Sequence, residues 1–285
     1  MTVSLLPSDS FQVTTDKIRN LGEGRIIYKA DFAPGVGLIE LQHPKRHNSF
    51  DGNMMAEFRD IVLQLEEDQH REDNDIVAII VTGCRGKSFC AGIDLSFARE
   101  HMHGSVEAGE TINRYMHDTL TRFSRLSYIT VASMAGAALG GGTEVITAFD
   151  YIIMDHATFI RFVQTRMGIS SPWGGLRRLI HRIGRKQALT IFAGAPTITA
   201  DYGKKVGLVD LIVTSSKDKT EAYDHCLEAS LDFVKHFVTD EKTDSRVNPG
   251  AVRGMKAIIN RSEQNTVDVD FEMGLFRKLA GTSKL

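Results

Sequence analysis

The sequence is short of several things that would assign a function at a glance. It has three cysteines in 285 residues, Cys84, Cys90 and Cys226, widely spaced and without a CxxC pair. An odd, scattered set offers no disulfide framework and points to a reducing compartment. No apolar run approaches the ~20 residues that span a bilayer, so no membrane partner is expected. Net charge is −2, which supplies no basic footprint for nucleic acid or anionic lipid. Internal repeats and low-complexity tracts are missing too. The N-terminal stretch has neither a basic region leading into an apolar core nor an arginine-rich character, so neither a signal nor a transit peptide is expected. His101 and His103 make a lone HxH pair in a polar stretch, which reads as a solvated loop, and no metal is expected.

What remains is an ordinary globular composition, 42% hydrophobic and 25% charged, with a marked order of elements. Ile26–Tyr28 and Val36–Leu41 are β-rich runs split by Pro34-Gly35 and read as a hairpin. Asp51 stands as an N-cap before a helix with Met54, Met55, Phe58, Ile61, Val62 and Leu65 on one face. Ile76–Val81 is a continuous apolar run, the mark of a strand buried on both faces of a parallel sheet. Further strands are expected at Ile129–Met134, Tyr151–Met154, Thr158–Phe162 and Val209–Val213. Helices are expected at 111–126, 176–183 with a stop at Gly184, 186–193 and 201–206. From 218 onward the chain reads as helix only, over 220–238, 250–260 and 267–279. The fold class is α/β, with four parts: an N-terminal segment 1–25, a core 26–213, a helical region 214–282 and a terminal tripeptide 283–285.

Chemistry concentrates around Ala135-Gly-Ala-Ala-Leu-Gly-Gly-Gly-Thr-Glu144. Three glycines before a helix offer free backbone N–H groups to an anion, and equally let a helix lie close on a strand. Alone, the run leaves both readings open. A second small-residue loop, Ser88-Phe-Cys-Ala-Gly-Ile-Asp94, also follows an apolar strand. Two such loops at strand carboxyl ends can bring two N–H donors onto one ligand oxygen.

These two loops resemble those of the crotonase (enoyl-CoA hydratase/isomerase) superfamily. Supporting matches are His43-Pro-Lys-Arg-His-Asn48, Phe149-Asp150, Trp173-Gly-Gly-Leu-Arg-Arg-Leu179, Gly184-Arg-Lys-Gln-Ala188 and Gly207-Leu-Val-Asp210, in order across roughly residues 26–262. The resemblance implies a spiral of ββα units, a C-terminal helical region used in trimerisation, and a homotrimer or hexamer. It implies coenzyme A thioester substrates and chemistry through a stabilised thioester enolate, with no cofactor beyond the coenzyme A of the substrate. By position, the backbone N–H groups of Ile93 and Gly141 would form the oxyanion hole, with Glu144 as acid/base or water positioner. Lys45 and Arg46 would face the nucleotide, and the Ala91 carbonyl would read adenine.

Hydratases of this family place a second glutamate where this chain has Gln164, and an amide exchanges no proton at neutral pH. The stretch Ile160–Gly175 resembles the ethylmalonyl-CoA decarboxylase subfamily more closely, with Phe162 and Trp173 as candidate pocket walls. Ser171-Pro172 departs from that subfamily by a shifted proline. The resemblance therefore implies decarboxylation of a short branched malonyl-type thioester. The alternatives are an enoyl-CoA hydratase or isomerase of fatty-acid metabolism, and a non-catalytic acyl-CoA-binding subunit. The terminal Ser283-Lys284-Leu285 matches a peroxisomal address, which implies an import receptor as partner and the peroxisome as location, the cytosol being the other.

Overall fold

The computed structural model describes residues 3–85, 88–214 and 219–262. The helix expected at 267–279 and the terminal tripeptide lie outside these residues. Five strands of the main sheet run in the order β1 (Arg25–Ala33), β2 (Val36–Gln42), β3 (Ala78–Gly83), β5 (Ile129–Met134) and β7 (Tyr151–Asp155). β10 (Leu211–Val213) closes its edge. β1 and β2 form the antiparallel hairpin, with Ile26 opposite Leu41; every later pairing in this sheet is parallel.

The apolar run around β3 is buried on both faces as its composition requires. Ile79 and Val81 join the core beneath α2 (Gly52–Asp68) and α4 (Val106–Ser124), while Ala78 and Ile80 join the core beneath α8 (Lys219–Val238). Asp51 caps α2 by accepting the Met54 N–H at 2.9 Å, and the six expected apolar residues of α2 are all buried. Each such side chain contributes roughly 1.5–3 kcal/mol.

A second sheet of four short strands, β4 (Ser88–Cys90), β6 (Ala137–Leu139), β8 (Phe159–Arg161) and β9 (Ile198–Thr199), sits beside the first. The chain alternates between them. β3 leads to β4 and then α3 (Leu95–His101), β5 to β6 and then α5 (Gly141–Ile146). β7 leads to β8 and, through a single 3-10 turn at Gln164–Met167, to α6 (Gly175–Gly194). This is the expected succession of ββα units. Gly184 interrupts α6 with φ 79° and ψ 159°, the break anticipated at that residue.

Three features differ from the sequence reading. Residues 1–25 are more than a surface segment: α1 (Phe11–Ile18) is capped by Ser10 and buries Ile18 completely. α8 is no appendage to the core, since Val234 and Val238 cover one face of the main sheet. The glycine loops leave the short strands β4 and β6, not β3 and β5. α7 (Ala200–Lys205) precedes β10, and α9 (Pro249–Ser262) is tied to β7's entry by a Lys256–Asp150 ion pair.

Candidate active site

β4 and β6 are parallel neighbours, Ser88 opposite Ala137 and Cys90 opposite Ala138, so their carboxyl ends open side by side. From the first comes Ala91-Gly92-Ile93, from the second Gly140-Gly141-Gly142. A methyl on Gly92, whose φ is +90°, would lie 2.6 Å from the Gly141 nitrogen. A methyl on Gly142 would lie 2.1 Å from the Cys90 carbonyl oxygen. The glycine run therefore does both things the sequence left open. Gly142 lets α5 pack on β4, and Gly141 keeps its amide bare. Among the described residues, neither the Ile93 nor the Gly141 N–H donates to a protein acceptor, and both residues are half-buried. Two free amides on adjoining loops are the elements of an oxyanion hole.

Glu144 is buried at 1% exposure one turn into α5. Its Oε2 accepts from Ser171 Oγ at 2.7 Å, the Trp173 N–H at 2.9 Å and the Gly175 N–H at 3.0 Å. Gly175 is the first residue of α6, so this carboxylate occupies the anion-favouring end of that helix. Its Oε1 accepts from Gln164 Nε2 at 3.3 Å. Gln164, itself 2% exposed, also donates from Nε2 to the Gly140 carbonyl at 3.0 Å. With acceptors on that side, the nitrogen must face them. The amide oxygen, Oε1, is left buried with no protein partner.

Arg178 on α6 lies behind the carboxylate. Its Nη2 donates to the carbonyls of Trp173 at 2.8 Å and Glu144 at 3.2 Å, and its Nε to Thr147 Oγ1 at 3.2 Å. Burial lowers this guanidinium to about 10, an effect the Glu144 charge partly offsets. The neighbouring His117 is held below the usual histidine value, by burial first and then by Arg178.

The Trp173 indole lies on Gly141. A methyl there would meet Cζ3 at 2.7 Å and Cη2 at 2.9 Å. The ring meets Phe50 edge to face, centroids 6.4 Å apart, and its Nε1–H donates to Asn113 Oδ1 on α4 at 3.0 Å. Phe162 is fully buried and its ring packs on Phe192 at 4.6 Å, which gives it a core role.

Lys45 and Arg46 form an exposed 3-10 turn, Pro44–Arg46, held beside the first glycine loop by the Ala91 N–H donating to His47 O at 3.1 Å. The structure thus gathers Ile93, Gly141, Glu144, Gln164 and Trp173 into one group, and Lys45, Arg46 and Ala91 into another at its margin. Asn113, Ser171 and Arg178 were not anticipated. Asn113 is one polar residue among many on an amphipathic helix, and nothing in the sequence singles it out. Among the described residues no three His, Cys, Asp or Glu side chains cluster as metal ligands, and no helix is long and apolar enough to cross a membrane. His101 of the HxH pair is buried against Phe97 rather than solvated.

A model of the enoyl-CoA hydratase/isomerase family matches residues 31–265. The chain is similar to the ethylmalonyl-CoA decarboxylase of Bos taurus, 34% identical over 230 residues that make up 81% of this chain and 69% of the bovine one. It is similar to the Homo sapiens protein of the same name, 36% identical over 204 residues, 72% of this chain and 62% of that protein. The chain thus spans less than two thirds of the human relative's length. Among solved structures, an enoyl-CoA hydratase from Bacillus anthracis superposes with a TM-score of 0.73 at 24% identity, covering 91% of this chain and 92% of that one. That likeness concerns the fold.

Proposed function

The chain belongs to the enoyl-CoA hydratase/isomerase family, and from that membership we propose that it decarboxylates a short branched malonyl-type coenzyme A thioester, ethylmalonyl-CoA or methylmalonyl-CoA. The observation that carries this reading is the state of Glu144. Hydration of an enoyl thioester by paired carboxylates needs two groups that exchange protons with one water. Here the partner position is the Gln164 amide at 3.3 Å, and Oε2 of Glu144 is taken by three donors.

Decarboxylation makes a different demand. The bond from Cα to the carboxylate breaks, its electron pair passes into the thioester as an enolate, and carbon dioxide leaves. A proton from water then adds to Cα, and the hydroxide left behind is taken up by the released carbon dioxide as bicarbonate. No base is required, only stabilisation of the enolate oxygen, for which the Ile93 and Gly141 amides are suited; one such donor is worth about 3 kcal/mol. The Glu144 carboxylate at the end of α6 disfavours a second negative charge beside it and so favours moving the substrate's charge from its carboxylate to the enolate oxygen. Gln164 Oε1, an unmatched acceptor, is suited to hold the water that returns the proton. Lys45 and Arg46, exposed on the turn that the Ala91 N–H ties down through His47, would take the coenzyme A phosphates. The bovine and human relatives, named for ethylmalonyl-CoA, support the choice of substrate. The family resemblance also supports a trimeric or hexameric assembly, which light scattering on the purified chain measures.

The test is a panel of ethylmalonyl-, methylmalonyl-, malonyl- and crotonyl-CoA incubated with pure protein and read by mass spectrometry. Conversion of the branched malonyl thioesters to their decarboxylated products is expected. Hydration of crotonyl-CoA with the malonyl thioesters untouched would replace this reading with the hydratase one. Binding without turnover of any of the four would make the chain an acyl-CoA binder.

A further inference from the structure

The two free amides fix where a thioester oxygen sits, and that in turn fixes what surrounds the carbon that reacts. An oxygen accepting from Gly141 N–H lies ~2.9 Å from that nitrogen, which places the carbonyl carbon and Cα one and two bonds further on. The six-membered half of the Trp173 indole lies against this same glycine: Cζ3 and Cη2 are the atoms a Gly141 methyl would strike. A substituent on Cα therefore meets the ring within its first few carbons.

The ring is not free to yield. Its Nε1–H is bound to Asn113 on α4 at 3.0 Å, and it meets the Phe50 ring edge to face. The backbone beneath it is fixed as well: the Trp173 main-chain N–H donates to Glu144 at 2.9 Å and the Trp173 main-chain carbonyl accepts from Arg178 at 2.8 Å. The side chain is 2% exposed. Simple core packing would account for the burial, but not for a tryptophan fixed by α4, α5 and α6 with its ring against one of the two residues whose amides must stay bare.

We propose that Trp173, latched by Asn113, is the specificity-determining residue that limits the substituent on Cα to a short alkyl group, so that the site takes 2-methyl and 2-ethyl malonyl-type thioesters and rejects longer 2-alkyl chains. The proposal rests on the decarboxylase reading for the chemistry, but on the coenzyme A thioester site alone for the binding order. A rigid wall discriminates by about 10- to 200-fold for each methylene beyond its limit.

The experiment measures binding of butyryl-, hexanoyl- and octanoyl-CoA to the full chain by calorimetry, alongside decarboxylation of 2-ethyl- and 2-hexylmalonyl-CoA. The parent is expected to bind butyryl-CoA at least ~10-fold more tightly than octanoyl-CoA. Trp173→Ala is expected to abolish or invert that ratio, and Asn113→Leu, which frees the indole without removing it, to narrow it. Where Trp173→Ala does not fold, Trp173→Phe together with Asn113→Leu carries the same comparison. A parent that binds the octanoyl and butyryl thioesters equally, or binds none of them, overturns the proposal. So do variants that weaken all three ligands by one common factor, the signature of a purely structural role. Failure of the decarboxylase reading looks different: no carbon dioxide is released while the binding order persists.

Discussion

Glu144 and Trp173 are joined through the backbone, the tryptophan N–H donating to Oε2 of the carboxylate at 2.9 Å. The carboxylate of the candidate site is thereby also the anchor of the loop that carries Trp173. Two of the three donors on Oε2 are main-chain amides around the first turn of α6, and mutation of neither residue removes them.

Glu144→Gln tests this double duty. An amide cannot satisfy three donors at one oxygen while its own NH2 faces the Gln164 amide. Leaving such groups unmatched costs about 1–3 kcal/mol. The expected result is a lower melting temperature and a fall of roughly 100-fold in decarboxylation rate. An unchanged melting curve would show that the loop does not depend on the charge.

Gly92→Ala should act on chemistry more than on binding. The added methyl meets the Gly141 nitrogen at 2.6 Å from a backbone with φ +90°. Either strain forces the loops apart and the two amides lose their common target. A decrease of about 100- to 1,000-fold in kcat with KM nearly constant is expected; an equal loss in both parameters would argue against an oxyanion hole here.

Gln164→Glu would restore a carboxylate pair. We expect measurable hydration of crotonyl-CoA, followed by loss of enoyl absorbance, together with weaker decarboxylation. The new group must also give up the donations that Nε2 now makes to Gly140 O and Glu144 Oε1. If hydration does not rise while the protein stays folded, residue 164 does not decide the reaction type.

Lys45→Ala should weaken coenzyme A thioester binding by about 2- to 5-fold at low ionic strength, as for an exposed charge pair. The difference should shrink at about 0.5 M salt, where screening is short-ranged. Calorimetry at the two salt concentrations measures it. Arg46, whose Nε lies 3.8 Å from Asp94, has an internal partner to compete with and should show a smaller effect.

Alkaline pH should loosen the fold. Burial pushes the Cys90 and Cys226 thiols and the Tyr115 and Tyr128 phenols up to about 12. Acids raised in the folded state hold protons that the unfolded chain has already released. Their stabilisation is complete below pH 9 to 10 and is lost as pH rises towards 12. Melting temperature followed by circular dichroism should fall steadily across that window. The same burial keeps both thiols slow towards alkylating reagents in the native protein and fast after denaturation.

Much of this was legible from local pattern. Asp51, Met54 and Leu65 announce α2, and the unbroken run before Thr82 announces a strand with two covered faces. The paired glycine loops, Glu144 and the missing carboxylate at Gln164 were readable because each is a residue type in a fixed order. What escaped depends on the third dimension. β4 and β6 are three residues each, too short to show a period, so by pattern alone the loops attach to the longer strands before them. α1 has only Ile18 as an apolar anchor, and Thr14 and Thr15 pass for surface residues. The hold that Asn113 and Arg178 have on the Trp173 loop joins α4, α5 and α6 across more than 60 positions of chain, a distance no local signal reports.

The alternation of long and short strands also bears on how such a protein changes over time. The six-stranded sheet buries many more apolar side chains than the four-stranded one, while the loops that carry Ile93 and Gly141 leave the four-stranded one. Substitutions at the ends of β4, β6 and β8 can alter what is bound or which bond breaks with little effect on the larger sheet. The scaffold is thus separable in part from the chemistry performed on it.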